Sequence, residues 1–114
     1  MAAFIDDVAR ENLRVNFDPA NMVLYGTGDP IEALGVLGRH VVSVHAKDGD
    51  WPSRKDALGV ERPLGKGAVG IERFVAKLKE VGYNGAIHVE REGADRSTWI
   101  ADVTAAVRLL KTIV

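Results

Sequence analysis

Hydrophobic positions along the chain fall into blocks with two different spacings. Phe4, Ile5, Val8 and Ala9 share one helical face, so residues 2–11 read as a helix. Leu13 to Phe17 is a short apolar run with polar alternation and reads as a strand. Asp18-Pro19 stops it, because proline has no N–H to give a ladder. Residues 21–28, with glycines at 26 and 28, read as a loop. Asp29-Pro30 then opens a helix, with Asp29 as cap and Pro30 in the first turn. Its apolar face is Ile31, Leu34 and Leu37, and Gly38 ends it.

Val41 to His45 is a second strand, and its β-branched run suits burial on both faces. Residues 46–70 are irregular, with five glycines and prolines 52 and 63; a segment of that length in a compact domain is usually functional or mobile. Residues 71–81 form a helix with Phe74, Val75 and Leu78 inward, ended by Gly82. Residues 85–90 are a third strand. Residues 95–113 are a last helix, with Trp99, Ile100, Val103, Ala106, Val107 and Leu110 as its stripe. A helix followed by three strand–helix units predicts a parallel α/β sheet with right-handed crossovers. Residues 1–114 read as one domain without an internal linker.

Composition narrows the classes. Fifteen basic residues against sixteen acidic ones leave a net charge of -1, with no polybasic patch for nucleic acid or an anionic membrane. There is no cysteine, which excludes disulfides, zinc–thiolate sites and thiol nucleophiles. No apolar run approaches the roughly 20 residues that span a bilayer. The first residues lack the basic-then-apolar pattern of a secretory signal, so a cytoplasmic location is expected.

The candidate chemistry sits at the strand ends. Asp18, His45 and Glu90 each end a strand, and the carboxyl ends of parallel strands form the edge where function collects. One imidazole and two carboxylates suit a divalent ion such as Mn²⁺, Co²⁺, Zn²⁺ or Mg²⁺. Three protein ligands with open positions fit a catalytic site better than a closed structural one. Strand alternation puts Arg14 and Asn16 on the face of Asp18, Ser43 on that of His45, and His88 on that of Glu90. A polar layer there suits an active site, since a plain core would use Val, Ile and Leu. The competing reading is that strand ends carry polar residues because they reach solvent.

Four segments, NFDPAN (16–21), VHAKD (44–48), LGKGAVG (64–70) and HVERE (88–92), resemble the sugar phosphate isomerase/epimerase group, which shares its barrel with xylose isomerase and endonuclease IV-like enzymes. Their order and spacing match the last three βα units of that (β/α)8 TIM barrel, so the resemblance implies a partial barrel. A complete one needs about 250 residues. It implies that Asp18, His45 and Glu90 bind the metal; the group's further ligand, a Glu ending the fifth strand, has no counterpart in these residues. The group often has a His three residues after the sixth-strand Asp; Asn21 stands there, able to hydrogen-bond a hydroxyl but not to titrate. Lys47 and Asp48 are expected to face substrate. Arg62 and Lys66 offer positive charge for a phosphate or carboxylate, against the alternative of solvated loop charges.

The implied chemistry is proton transfer next to the carbonyl of a small sugar or sugar acid, with the metal holding the developing enediolate. Glu90 would be one of two proton-moving glutamates. Two rival readings stand beside it: an endonuclease IV-like phosphodiesterase, which wants more histidines than the three present, and a non-catalytic binding module of the same fold. Three strands leave two unpaired edges, so a homo-oligomer or a separate N-terminal partner is expected. Trp51 either covers a ligand or anchors its loop. Trp99 reads as helix packing, His88 as an inward polar residue, and Arg91 and Glu92 as a surface pair or the site rim.

Overall fold

The computed structural model describes residues 1–114. In chain order the elements are α1 (Ala2–Val8), β1 (Val15–Phe17), α2 (Pro19–Leu24), α3 (Pro30–Leu37), a 3-10 turn (Gly38–His40), β2 (Val41–Ala46), β3 (Asp48–Gly49), β4 (Glu61–Arg62), α4 (Ile71–Glu80), β5 (Ile87–Val89) and α5 (Arg96–Ile113). β1, β2 and β5 form one parallel sheet in that order. This is the sheet that strand–helix alternation predicts, with its carboxyl ends on a single edge.

The register sorts the side chains. Asn16 lies opposite Ser43, and His45 opposite His88. Alternation therefore puts these four on one face, with Phe17, Val44, Ala46, Ile87 and Val89 on the other. The second face is the core. Val44 and Ala46 are buried there under the helices, together with Val23, Leu34, Phe74, Val75 and Leu78. Phe17 stacks on Phe74 with ring centroids 5.8 Å apart. Each buried Val, Leu or Phe side chain among these contributes about 1.5–3 kcal/mol.

Three sequence expectations need correction. Residues 19–24 are helical where a loop from residue 21 was expected. Asp18 stops the strand and also caps α2, its carboxylate accepting from the Asn21 N–H, while Pro19 takes the first helical position. Ala20 and Val23 have no exposed surface, which gives this short helix its inward face. Next, the segment 46–70 is folded. β3 and β4 pair antiparallel within it, Asp48 opposite Arg62 and Gly49 opposite Glu61. Finally, the apolar faces of the terminal helices are only partly used. In α1 Ile5 is buried and Phe4 and Val8 are exposed; in α5 Ala106 and Leu110 are buried, whereas Trp99, Ile100 and Val107 are exposed. α1 also ends at Ala9 in the left-handed conformation, short of residue 11.

The inner helices follow the sequence closely. The Asp29 carboxylate accepts from the N–H groups of Ile31 and Glu32 and starts α3. Gly38 ends α3 as expected, and its right-handed conformation leads the chain into the 3-10 turn. A Cβ at Gly38 would come 2.8 Å from Cβ of Val81, so glycine lets the ends of α3 and α4 approach. Asp95 caps α5 through the N–H groups of Ser97 and Thr98.

Candidate metal centre

Asp18, His45 and Glu90 converge at the carboxyl edge of the sheet. Each offers one ligand atom, and the three atoms lie within 4.8 Å of one another. Nδ1 of His45 is 3.1 Å from Oε2 of Glu90 and 3.5 Å from Oδ2 of Asp18. The other ring nitrogen, Nε2, is 3.2 Å from the side-chain amide of Asn16. Thus Nδ1 is the ring atom aimed at both carboxylates.

Asp18 divides its two oxygens. Oδ1 accepts the N–H of Asn21 at 2.9 Å and fixes the start of α2. Oδ2 is buried and has no hydrogen-bond partner. A buried carboxylate oxygen left this way costs about 1–3 kcal/mol or more, so a cation is the natural partner. The donor set of two carboxylate oxygens and one imidazole nitrogen fits a borderline divalent ion, and the orphaned Oδ2 supports that fit from the geometry.

Lys47 stands directly beside this group. Its ammonium is 3% exposed, lies 3.3 Å from Oε2 of Glu90 and donates to Glu92 at 2.5 Å. Burial alone would lower the Lys47 pKa. The Glu92 hydrogen bond, the Asp18 charge and the Glu90 carboxylate outweigh that, and they hold the ammonium above the usual lysine range. Asn21 is exposed and lines the same cavity as Asn16 and Asp18, along the free edge of β1.

The other expected substrate contacts lie elsewhere. Asp48 is 1% exposed and does not face a ligand. Its Oδ1 accepts from the N–H groups of Gly49 and Val69, and its Oδ2 from those of Gly65 and Gly67. Four amide donors occupy the carboxylate, so its work is to close the 48–69 segment. Arg62 pairs with Asp50 at 2.6 Å on the β3–β4 ribbon, and Lys66 is exposed between two glycines of the clamped turn.

A second polar group supports the centre from behind. Arg91 reaches Glu61 at 2.8 Å and Asp102 at 2.9 Å, and its side chain is 11% exposed. Glu61 also accepts from the N–H groups of Glu92 and Gly93. Burial opposes the Glu61 charge, but the Arg91 guanidinium and those two N–H groups hold its pKa below the ordinary glutamate range. The Trp99 indole N–H donates to the carbonyl of Arg91, so Trp99 does more than pack. This network fixes the chain that carries Glu90 and Glu92 against α5 and the ribbon. Its members are far apart in sequence, and no spacing signals it.

No helix is long and apolar enough to cross a membrane. A protein of Methanocaldococcus jannaschii, itself uncharacterized, is 26% identical over 108 residues, which cover 94% of this chain and 33% of that protein. The crystal structure of a xylose isomerase domain protein from Planctomyces limnophilus superposes with a TM-score of 0.93 at 46% identity, over 97% of this chain and 41% of that one. The chain thus spans well under half the length of either relative. The family model for the xylose isomerase-like TIM barrel matches residues 1–113. Three parallel strands with helices on one face and a polar face opposite are consecutive βα units of such a barrel, and the chain belongs to the xylose isomerase-like TIM-barrel family.

Proposed function

We propose that this chain carries the metal-binding edge of a sugar or sugar phosphate isomerase/epimerase that moves a proton next to a carbonyl. The observation that carries the reading is the convergence of Asp18, His45 and Glu90, with Oδ2 of Asp18 buried and unpartnered. A divalent ion, Mn²⁺, Co²⁺, Mg²⁺ or Zn²⁺, supplies Lewis-acid polarisation of a substrate carbonyl when bound there.

The chain's own residues do the rest. Glu90 is partly exposed and sits at the open edge, where its carboxylate takes or returns a proton at the carbon beside the carbonyl. Lys47 holds Glu90 and Glu92 in place and offers positive charge to an anionic substrate oxygen. The Asn21 amide, exposed in the cavity it shares with Asn16 and Asp18, is our candidate for hydrogen-bonding a substrate hydroxyl. Arg62 and Lys66, both exposed, are kept as candidate contacts for a substrate phosphate or carboxylate, although neither borders the three candidate ligands. The unpaired edges of β1 and β5 are closed by a second copy or by the strands that precede these units in longer relatives, and the cytoplasm is the compartment we assign.

Calorimetric titration of each ion into the chain, and into D18N, H45A and E90Q, tests the centre. One site of micromolar affinity or tighter, lost in all three variants, is expected. Exchange of substrate carbon-bound hydrogen in deuterated water, followed by proton NMR over a panel of ketoses, sugar phosphates and sugar acids, tests the chemistry. Exchange that survives E90Q would sink the proposed role of Glu90.

A further inference from the structure

The centre has a feature that its three ligands do not explain. His45 presents Nδ1 to both carboxylates, at 3.1 and 3.5 Å, and turns Nε2 toward Asn16 at 3.2 Å. For Nδ1 to hold a cation, its lone pair must be free. The neutral ring must then carry its proton on Nε2, and that N–H needs an acceptor. With Nδ1 facing carboxylates alone, the opposite arrangement is favoured: Nδ1–H donates to Glu90, and Nε2 accepts.

Asn16 can serve both arrangements. Its amide has a donor end and an acceptor end of nearly equal size, exchanged by a half-turn about the last side-chain bond. The register holds it in place, since Asn16 sits opposite Ser43 on the neighbouring strand and reaches diagonally to the ring two residues further on. It is exposed at the sheet face, so the half-turn has room.

We propose that Asn16 is a positioning residue for the metal centre. It donates Nδ2–H to Nε2 of His45 when no cation is bound and turns its carbonyl oxygen to accept Nε2–H when one is. This rests on the metal-centre reading. Asn16 touches neither the cation nor the substrate; it selects the tautomer that exposes the Nδ1 lone pair.

The variants separate an acceptor from a mere space-filler. N16L keeps the volume and can do neither job. N16D is acceptor-only and supports the cation-binding tautomer. Zn²⁺ alone is the probe, titrated into the wild-type chain, N16L and N16D, with circular dichroism melts to verify folding. Wild type is expected to bind, N16L to bind about 10–100-fold more weakly, and N16D to recover wild-type affinity or better. Long-range proton–nitrogen NMR of ¹⁵N-histidine chain gives an independent readout: on adding Zn²⁺, Nε2 of His45 should show a directly bonded proton and Nδ1 none. N16L binding as tightly as wild type, N16D binding as weakly as N16L, or a proton found on Nδ1 in the loaded chain overturns the role of Asn16 while leaving the centre standing. Failure of the wild-type chain to bind Zn²⁺ overturns the centre itself, and this inference with it.

Discussion

The ammonium of Lys47 and the imidazole of His45 approach the same oxygen of Glu90, at 3.3 and 3.1 Å. A cation held by His45 and Glu90 therefore competes with Lys47 for Oε2. The Lys47 charge offsets those of Asp18 and Glu90 and would oppose a divalent ion at the same oxygen.

Replacing Lys47 by Met should raise divalent-ion affinity, by about tenfold on Coulombic grounds for charges a few ångströms apart at a wet site. The same change leaves Glu90 and Glu92 without their ammonium. Because both carboxylates are partly exposed, the stability loss is expected to be modest, about 1–2 kcal/mol. Calorimetry and urea denaturation read the two effects separately. Unchanged or weaker ion binding in K47M would refute the competition.

Asp48, itself buried, accepts four backbone N–H groups, those of Gly49 and Val69 buried and those of Gly65 and Gly67 part-buried. D48A should cost about 3 kcal/mol, since two buried and two part-buried donors lose their acceptor at once. A Cβ at Gly67 would fall 2.3 Å from Oδ1 of Asp48 and 2.6 Å from the Gly49 nitrogen, so G67A should damage the same clamp. The double variant should cost clearly less than the sum, because both changes break one unit. Hydrogen exchange at Gly65, Gly67 and Val69 should accelerate in either single variant; protected amides in D48A would contradict the clamp.

Arg91 joins Glu61 and Asp102 behind the site. R91M strands two carboxylates of low exposure and should destabilise by about 3 kcal/mol, whereas E61Q, which keeps the acceptor oxygen for a backbone N–H, should cost less. Because the Glu61 pKa is depressed in the folded chain, its contribution is in place above the ordinary glutamate value and fades as pH falls through the depressed one. Urea midpoints measured across that acid range should therefore converge for wild type and E61Q.

Asp95 gives a second acid-range signal. The N–H of Thr98, then the hydroxyls of Ser97 and Thr98, hold its carboxyl at about 2, below the ordinary 3.8. The folded pKa is the lower one, so the stabilisation of α5 is complete above 3.8 and is lost as pH falls through about 2. D95N keeps a capping oxygen but cannot titrate. The Ser97 and Thr98 amides of wild type should lose protection over that interval, while those of D95N should not change.

The convergence of Asp18, His45 and Glu90 was legible in the sequence because each stands at the carboxyl end of a strand, and alternation carries their strand-mates Asn16, Ser43 and His88 to one face. Helix α2 was not, because Asp18-Pro19 is at once a strand stop and a helix start; the same pair at Asp29-Pro30, with no strand before it, reads unambiguously. Asp48 comes three residues after His45, just past the end of the same strand, which suggests a ligand contact. Only the path of residues 65–69 back over it shows a carboxylate already filled. Glu61, Arg91 and Asp102 meet across 30 and 11 residues, a distance over which local pattern says nothing. The α5 stripe was visible, but the exposure of Trp99, Ile100 and Val107 depends on what lies beside the helix, which no helical period encodes.

The β3–β4 ribbon and the Asp48 carboxylate together make a neck. Everything from residue 50 to residue 60, Trp51 included, is an excursion that leaves and returns through that neck. One position inside it is pinned: Gly59 donates its N–H to the carbonyl of Leu24 at 2.7 Å, and a Cβ there would fall 1.9 Å from the Asp50 carbonyl oxygen. The excursion is thus tethered at both its neck and its return, so residues 50–60 are held to α2 as well as to the ribbon.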